Sequence, residues 1–178
     1  MSKEKTHSEK VAAEKKSIGF DHQYYFFLWK LLSIGDGESV GLEVKDDVHT
    51  ELNDTEQVFY QIKHTVQNKS DGSAVNLTTA DNDLWKTLSN WAQIISDKVD
   101  GRETKNEQLT FTNKTSFVLA SNKSSSEKNI ILKAIIDLQE GNISIVDVVD
   151  AFRGLKNGST DTTLKANIDK VLASSNTK

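Results

Sequence analysis

A chain of 178 residues, 36% hydrophobic and 27% charged, is long enough for one domain with a real core and too short for two comfortable ones. Cysteine is absent, which excludes disulfides, thiolate metal sites and cysteine nucleophiles and suits a reducing cytoplasm. No apolar run reaches the roughly 20 residues of a membrane span. The net charge of -4 works against binding nucleic acid, so such binding requires a local basic patch or a partner domain.

Residues 1–17 mix lysine and glutamate and lack the apolar centre of a secretion signal, so they read as a polar segment ahead of a single domain over 18–178. Phe20 to Leu32 is densely apolar and punctuated by Gly19 and Gly35, which predicts a buried helix; its Tyr24, Tyr25, Phe26, Phe27 and Trp29 read as core. Ser39 to Lys45 alternates and predicts a strand, with Asp47 continuing its polar face. Asn53-Asp54 makes a turn, and Val58 to Val66 is a second strand pairing with the first as a hairpin.

Gln67 to Asp83 is a long polar loop. Asp83 or Asn82 caps a helix carrying Leu84, Leu88, Trp91, Ile95 and Val99, with Trp85 and Trp91 in the core. Asp100 to Gln108 reads as a polar linker, and Leu109–Thr112 and Ser116–Ser121 as strands. The last third is helical: Glu127 to Gln139 started by Ser125 or Ser126 and stopped by Gly141, a helix capped by Ser144, and a final one from Thr162 to Ala173. This order argues for an α/β fold with a mixed sheet flanked by helices.

The triplet Gln61-Ile62-Lys63 carries the most chemical information. Alternate residues of a strand share a face, so Gln61 and Lys63 project together while Ile62 points into the core. Oxygen ligands for a hard divalent cation beside an ammonium that orients water or neutralises charge are what phosphodiester cleavage requires. Asp46-Asp47 reads either as a turn pair or as metal ligands. Alternation selects Asp47, which shares the polar side with Glu43, whereas Asp46 falls in register with Leu42 and Val44; a kink before Asp47 reverses the choice. Glu43 either supplies charge to the site or pairs with Lys45 or Lys63. His64 faces away from Lys63 and reads as a structural histidine, and Gln23 is either a site residue or a surface amide of the first helix.

Gly19-Phe20 with Gln23, Glu43-Val44-Lys45-Asp46-Asp47-Val48, Gln61-Ile62-Lys63-His64, and Asp83-Leu84-Trp85-Lys86-Thr87-Leu88 with Trp91 occur in this order. Together they resemble the double-stranded DNA endonuclease domain of CD-NTase-associated (CBASS-type) anti-phage effectors, a branch of the restriction-endonuclease-like PD-(D/E)XK superfamily. The resemblance spans roughly residues 18 to 120. It implies a restriction-endonuclease-like mixed sheet and a Mg²⁺-dependent nuclease, with Mn²⁺ as a substitute ion. It also implies action on double-stranded DNA in bacterial defence, a sensor domain or defence-system partner, and homo-oligomerisation when active. Carried onto this chain, Asp47 is the metal-binding aspartate, Gln61 takes the motif's second acidic position and Lys63 is its lysine, with the Ile62 carbonyl and Glu43 as further ligands. Gln61 departs from the acidic residue, and an amide oxygen binds a cation more weakly than a carboxylate. A nuclease fold retained as a silent binding or oligomerisation module, and an RNA-cutting relative, are the alternatives.

Overall fold

The structure, a computed structural model, describes residues 7–52 and 55–175, so the expected Asn53-Asp54 turn lies outside the described residues. The chain forms two compact units, one of residues 1–66 and 114–122 and the other of residues 67–113 and 123–178. Among the described residues, no helix is long and apolar enough to cross a membrane.

The first unit opens with α1 (His7–Leu31), which starts well before the expected Phe20. The stretch Glu9 to Lys16 is, apart from Val11, built from glutamate, lysine and alanine, whose helix propensity carries the helix through residues read as a polar segment. Beside it lies a four-stranded mixed sheet in the order β1 (Ser39–Leu42), β2 (Val48–Leu52), β3 (Glu56–Lys63), β4 (Thr115–Ser121). The α/β class with a mixed sheet is thus observed. The first three strands are antiparallel, and β4 joins parallel to β3.

The expected hairpin between the first strand and Val58–Val66 is corrected, because β2 lies between β1 and β3. The expected strand over Ser39–Lys45 ends at Leu42, because Glu43 adopts a φ of 56°, the left-handed region that is costly for a side chain with a Cβ. The chain then turns, Glu43 N–H donating to the Asp47 carbonyl at 3.0 Å, and returns as β2. Register puts Leu42, Val48 and Tyr60 on the face that meets α1, where the Phe26 and Tyr60 rings lie 5.2 Å apart. The opposite face carries Gly41, His49, Phe59 and Phe117. Gly41 is fixed by that packing: a Cβ there would lie 2.1 Å from Cε1 of His49 on the neighbouring strand.

The second unit is helical. Its core joins Trp85, Ile131, Ala134, Val148, Phe152, Leu164 and Ile168 from α2 (Asn82–Ile95), α4 (Ile130–Gln139), α5 (Ile145–Gly158) and α6 (Thr162–Ser175). Trp85 is fully buried, packs edge-on to Phe152 at 5.0 Å and donates its indole N–H to the Thr79 carbonyl at 2.8 Å. Burying such a ring contributes on the order of 5 kcal/mol. Asp81, rather than Asn82 or Asp83, caps α2 by accepting from the Asp83 and Leu84 amides. The helix stops at Ile95, which leaves Val99 exposed and outside the expected apolar face.

Leu109–Thr112, expected as a strand, belongs to α3 (Lys105–Thr112). The capping box between Thr104 and Glu107 satisfies free amides at its start and overrides the local apolar/polar alternation. Helix α4 starts from an Asn129 cap instead of Ser125 or Ser126. The buried Asn129 amide also donates to the Leu77 carbonyl, which ties the cap to the loop ahead of α2. Ser144 caps α5 as expected, through a capping box with Asp147.

Candidate active site

The turn at residues 43–47 brings Asp47 to the sheet from an unexpected direction. It leads into β2 and does not continue β1, so alternation along β1 was the wrong reason for selecting it. Continuing the β2–β3 register places Asp47 opposite Gln61. Its carboxylate Oδ2 accepts the Ile62 N–H at 2.7 Å, which fixes the side chain against the backbone of the Gln61-Ile62-Lys63 triplet. The Asp46 carboxylate serves the turn instead, Oδ1 accepting the Asp47 N–H at 2.9 Å. The kink expected to exchange the two aspartates is present, yet Asp47 is the one whose carboxylate meets β3.

Gln61 alternates with Tyr60 and Ile62 and so takes the face opposite α1; Lys63 follows it in register but, as the last residue of β3, also borders the cleft on the α1 side. Gln61 is only 5% exposed, whereas Lys63 is half-buried near the strand end. Glu43 is exposed at the turn, and Lys45 pairs with Glu51 and with Gln57 Oε1 rather than with Glu43. Gln57 in turn donates to Thr115 Oγ1 at 2.9 Å, so these side chains form a polar chain across β2, β3 and β4. Sequence reading missed that chain, although Glu51, Gln57 and Thr115 occupy one face by register.

Gln23 and His64 lie on the α1 side of the sheet, away from the face of Gln61. The His64 ring stacks on His22 with centroids 3.5 Å apart, and Gln23 Oε1 and His64 Nδ1 are buried without a hydrogen-bond partner. Burial lowers the His64 pKa below the ordinary imidazole value, with the neighbouring His22 adding to the effect. On the other face, burial lowers that of His49, with Lys45 adding to it and Glu51 opposing it. His22 was not singled out beforehand, but it repeats at four-residue spacing with Phe26 and Lys30, all three against Tyr60 or His64.

A cleft of about 470 Å³ opens where α1 meets the ends of β3 and β4, lined by His22, Phe26, Trp29, Lys63, His64 and Asn122 among others. Asn122 closes that end of the sheet, its side chain accepting the Thr65 N–H at 2.9 Å and donating to the Thr65 carbonyl at 2.7 Å.

The donor set suits a hard cation in kind. Asp47 offers the carboxylate oxygen that Ile62 does not engage, and Gln61 and the Ile62 carbonyl are neutral oxygens from adjacent positions. Magnesium commonly binds through one or two carboxylates and keeps several waters. Among the described residues, no group of three or more carboxylate or imidazole side chains converges as a metal cluster. Comparison with family models, with curated proteins and with solved structures returned no match.

Proposed function

We propose that this chain is a Mg²⁺-dependent deoxyribonuclease domain of the PD-(D/E)XK type, which hydrolyses phosphodiester bonds of double-stranded DNA as the effector of a bacterial anti-phage system in the cytoplasm. The single observation that carries this reading is the hydrogen bond from Ile62 N–H to Asp47, which brings an acidic side chain to the strand bearing Gln61 and Lys63. The restriction-endonuclease-like sheet belongs to the proposal, supported by the mixed order in which this aspartate immediately precedes β2 and the triplet closes β3.

Asp47, Gln61 and the Ile62 carbonyl would hold the ion, with Glu43 within the same turn; Mn²⁺ would substitute for Mg²⁺. When bound, the ion supplies Lewis acidity to the phosphoryl group and acidifies a water. Lys63 orients the attacking water and balances charge that builds on the phosphate in the transition state. A single site of this kind cuts one strand, so double-strand cleavage calls for two copies acting together, brought together by a sensor domain or defence-system partner.

Supercoiled plasmid incubated with Mg²⁺ or Mn²⁺ tests the reading. Nicked and linear products are expected from wild type, with loss on the order of 10²–10³-fold in Lys63→Ala and incomplete rescue by Lys63→Arg, whose planar fork differs from a compact ammonium. Intact plasmid with both the chain and an artificially multimerised form would refute it. The buried neutral Gln61 and the absence of a three-carboxylate cluster among the described residues favour a second reading, a silent module with the nuclease fold. Calorimetry showing no Asp47-dependent binding of divalent ions would select it. Competition between duplex DNA and RNA distinguishes an RNA-cutting relative.

A further inference from the structure

We infer that the outer face of α1 is a self-association surface that pairs with the same helix of a second copy of this chain. His22, Phe26 and Lys30 point at the sheet, meeting His64 and Tyr60. At 3.6 residues per turn, Phe20, Tyr24, Leu28, Leu31 and Leu32 occupy the other side of the helix and the turn that follows it, with Tyr25 at its edge, where it also borders the cleft against the sheet. All six are exposed, Tyr25 at 66% and Leu32 at 79%. The expectation that this aromatic segment is core is therefore not met: Tyr24, Tyr25 and Trp29 are exposed, and Phe26 and Phe27 are half-buried. A helix that is apolar all round has two faces to cover, and α1 covers one of them within its own unit.

Area and charge identify the occupant. With aromatic rings contributing about 150–250 Å² each when fully exposed, this face presents on the order of 700 Å² of apolar surface. That exceeds the roughly 300–600 Å² of the largest patches on monomers and approaches the roughly 800 Å² per partner of a stable interface. Between Phe20 and Leu32, Asp21 is the one charge on this face. Lys30, the sole cation between Phe20 and Leu32, lies over the Trp29 and Tyr60 rings, 4.7 and 4.6 Å from their centroids. This stretch thus lacks the cations that draw a helix to phosphates or to a lipid headgroup layer. An apolar face of this size is complementary to itself. In an antiparallel pair, Phe20 meets the partner's Leu32 and Tyr24 meets the partner's Leu28, the isologous geometry of a two-fold dimer.

This inference is independent of the nuclease reading and has its own readout. Analytical ultracentrifugation of the full chain from about 1 to about 100 μM is expected to show a dimer, and Leu28→Glu and Tyr24→Glu each to shift it to monomer with unchanged circular dichroism. Both residues are exposed, so the core tolerates the change. Because the chain has no cysteine, a Leu28→Cys variant treated with a short bis-maleimide should crosslink into dimers, while Val99→Cys, on the second unit, should not. A monomer at every concentration overturns the inference. So does a dimer that is indifferent to Leu28→Glu, or a monomer whose α1 face binds phosphatidylcholine vesicles or duplex DNA in a Leu28-dependent way.

Discussion

Replacing Asp47 separates the strap that its carboxylate forms in the structure from the metal-ligand role proposed for it. As a strap, it accepts the Ile62 N–H at 2.7 Å. A hydrogen bond to a charged acceptor contributes about 1.5–3 kcal/mol and one between neutral groups about 0.5–1.5 kcal/mol. Asp47→Asn keeps an acceptor oxygen of the same shape, so it should lower unfolding free energy by only about 1 kcal/mol. Asp47→Ala removes the acceptor from a half-buried position that water partly reaches, and should cost about 1.5–2 kcal/mol. Urea titration with an unchanged m-value measures both. In the proposed metal site Asp47 would contribute charge, which asparagine lacks. Plasmid cleavage should therefore fall by about 10²-fold or more in both variants, independently of their difference in stability. The reasoning is refuted if Asp47→Asn cleaves within about threefold of wild type while Asp47→Ala loses activity only as far as it unfolds.

Lys123 donates to Asp81 Oδ2 at 2.7 Å and Asp83 Oδ2 at 2.8 Å, its side chain 13% exposed and that of Asp81 only 9%. Lys123→Met should cost the second unit about 2–3 kcal/mol in chemical denaturation, the half-exposed Asp83 adding little; a loss below about 0.5 kcal/mol would show that the Asp81 cap bonds alone hold the start of α2. His49 and His64 both have lowered pKa values in the fold, so the unfolded chain takes up protons first as pH falls. Stability is then complete above the ordinary value of 6.5 and lost as pH falls through and below it. Melting temperature should drop between about pH 6.5 and pH 5, above the range where carboxylates titrate, and His64→Gln should flatten that slope; a flat profile in wild type would contradict the burial argument.

The parts of the fold legible in the sequence are those where period and cap agree. Ser144 marks α5 in this way, whereas the spacing of Leu84, Leu88, Trp91 and Ile95 marks α2 by period alone, its cap being Asp81 and its end Ile95, short of Val99. The turn that reverses β1 was hidden because Glu43, with neither glycine nor proline beside Asp46, takes the left-handed conformation usually reserved for glycine or asparagine. Val48 to Leu52 then alternates as a strand should, but it was absorbed into the connection. Leu109 to Thr112 misled in the other direction, since four alternating residues mimic a strand while the decisive signal, Thr104 and Glu107, lies upstream. Gln61 and Lys63 were placed on one face by period alone. The meeting of Asp47 with Ile62 depends on a turn of unusual geometry and was not derivable from spacing.

The neutral Gln61 becomes intelligible once its position is considered, because at 5% exposure in a strand with neighbours on both sides a carboxylate would be stripped of water. An amide presents an oxygen there without burying a charge that lacks a cation. Gln61→Glu therefore tests the candidate metal site through stability. Without divalent ions, burial should hold the new carboxyl's folded pKa above its unfolded value of about 4.3. The variant is then about as stable as wild type below that pH and loses stability as pH rises, on the order of 2 kcal/mol or more by neutral pH. A cation bound by Asp47 and the new carboxylate would reverse the loss, restoring about 2.7 kcal/mol at a hundredfold excess over Kd. Thermal melting of Gln61→Glu at neutral pH should thus rise steeply with Mg²⁺ or Mn²⁺, and the rise should vanish when Asp47→Asn is added. If the variant stays destabilised at every cation concentration, no metal binds between these strands, and Gln61 is a buried amide belonging to the sheet alone.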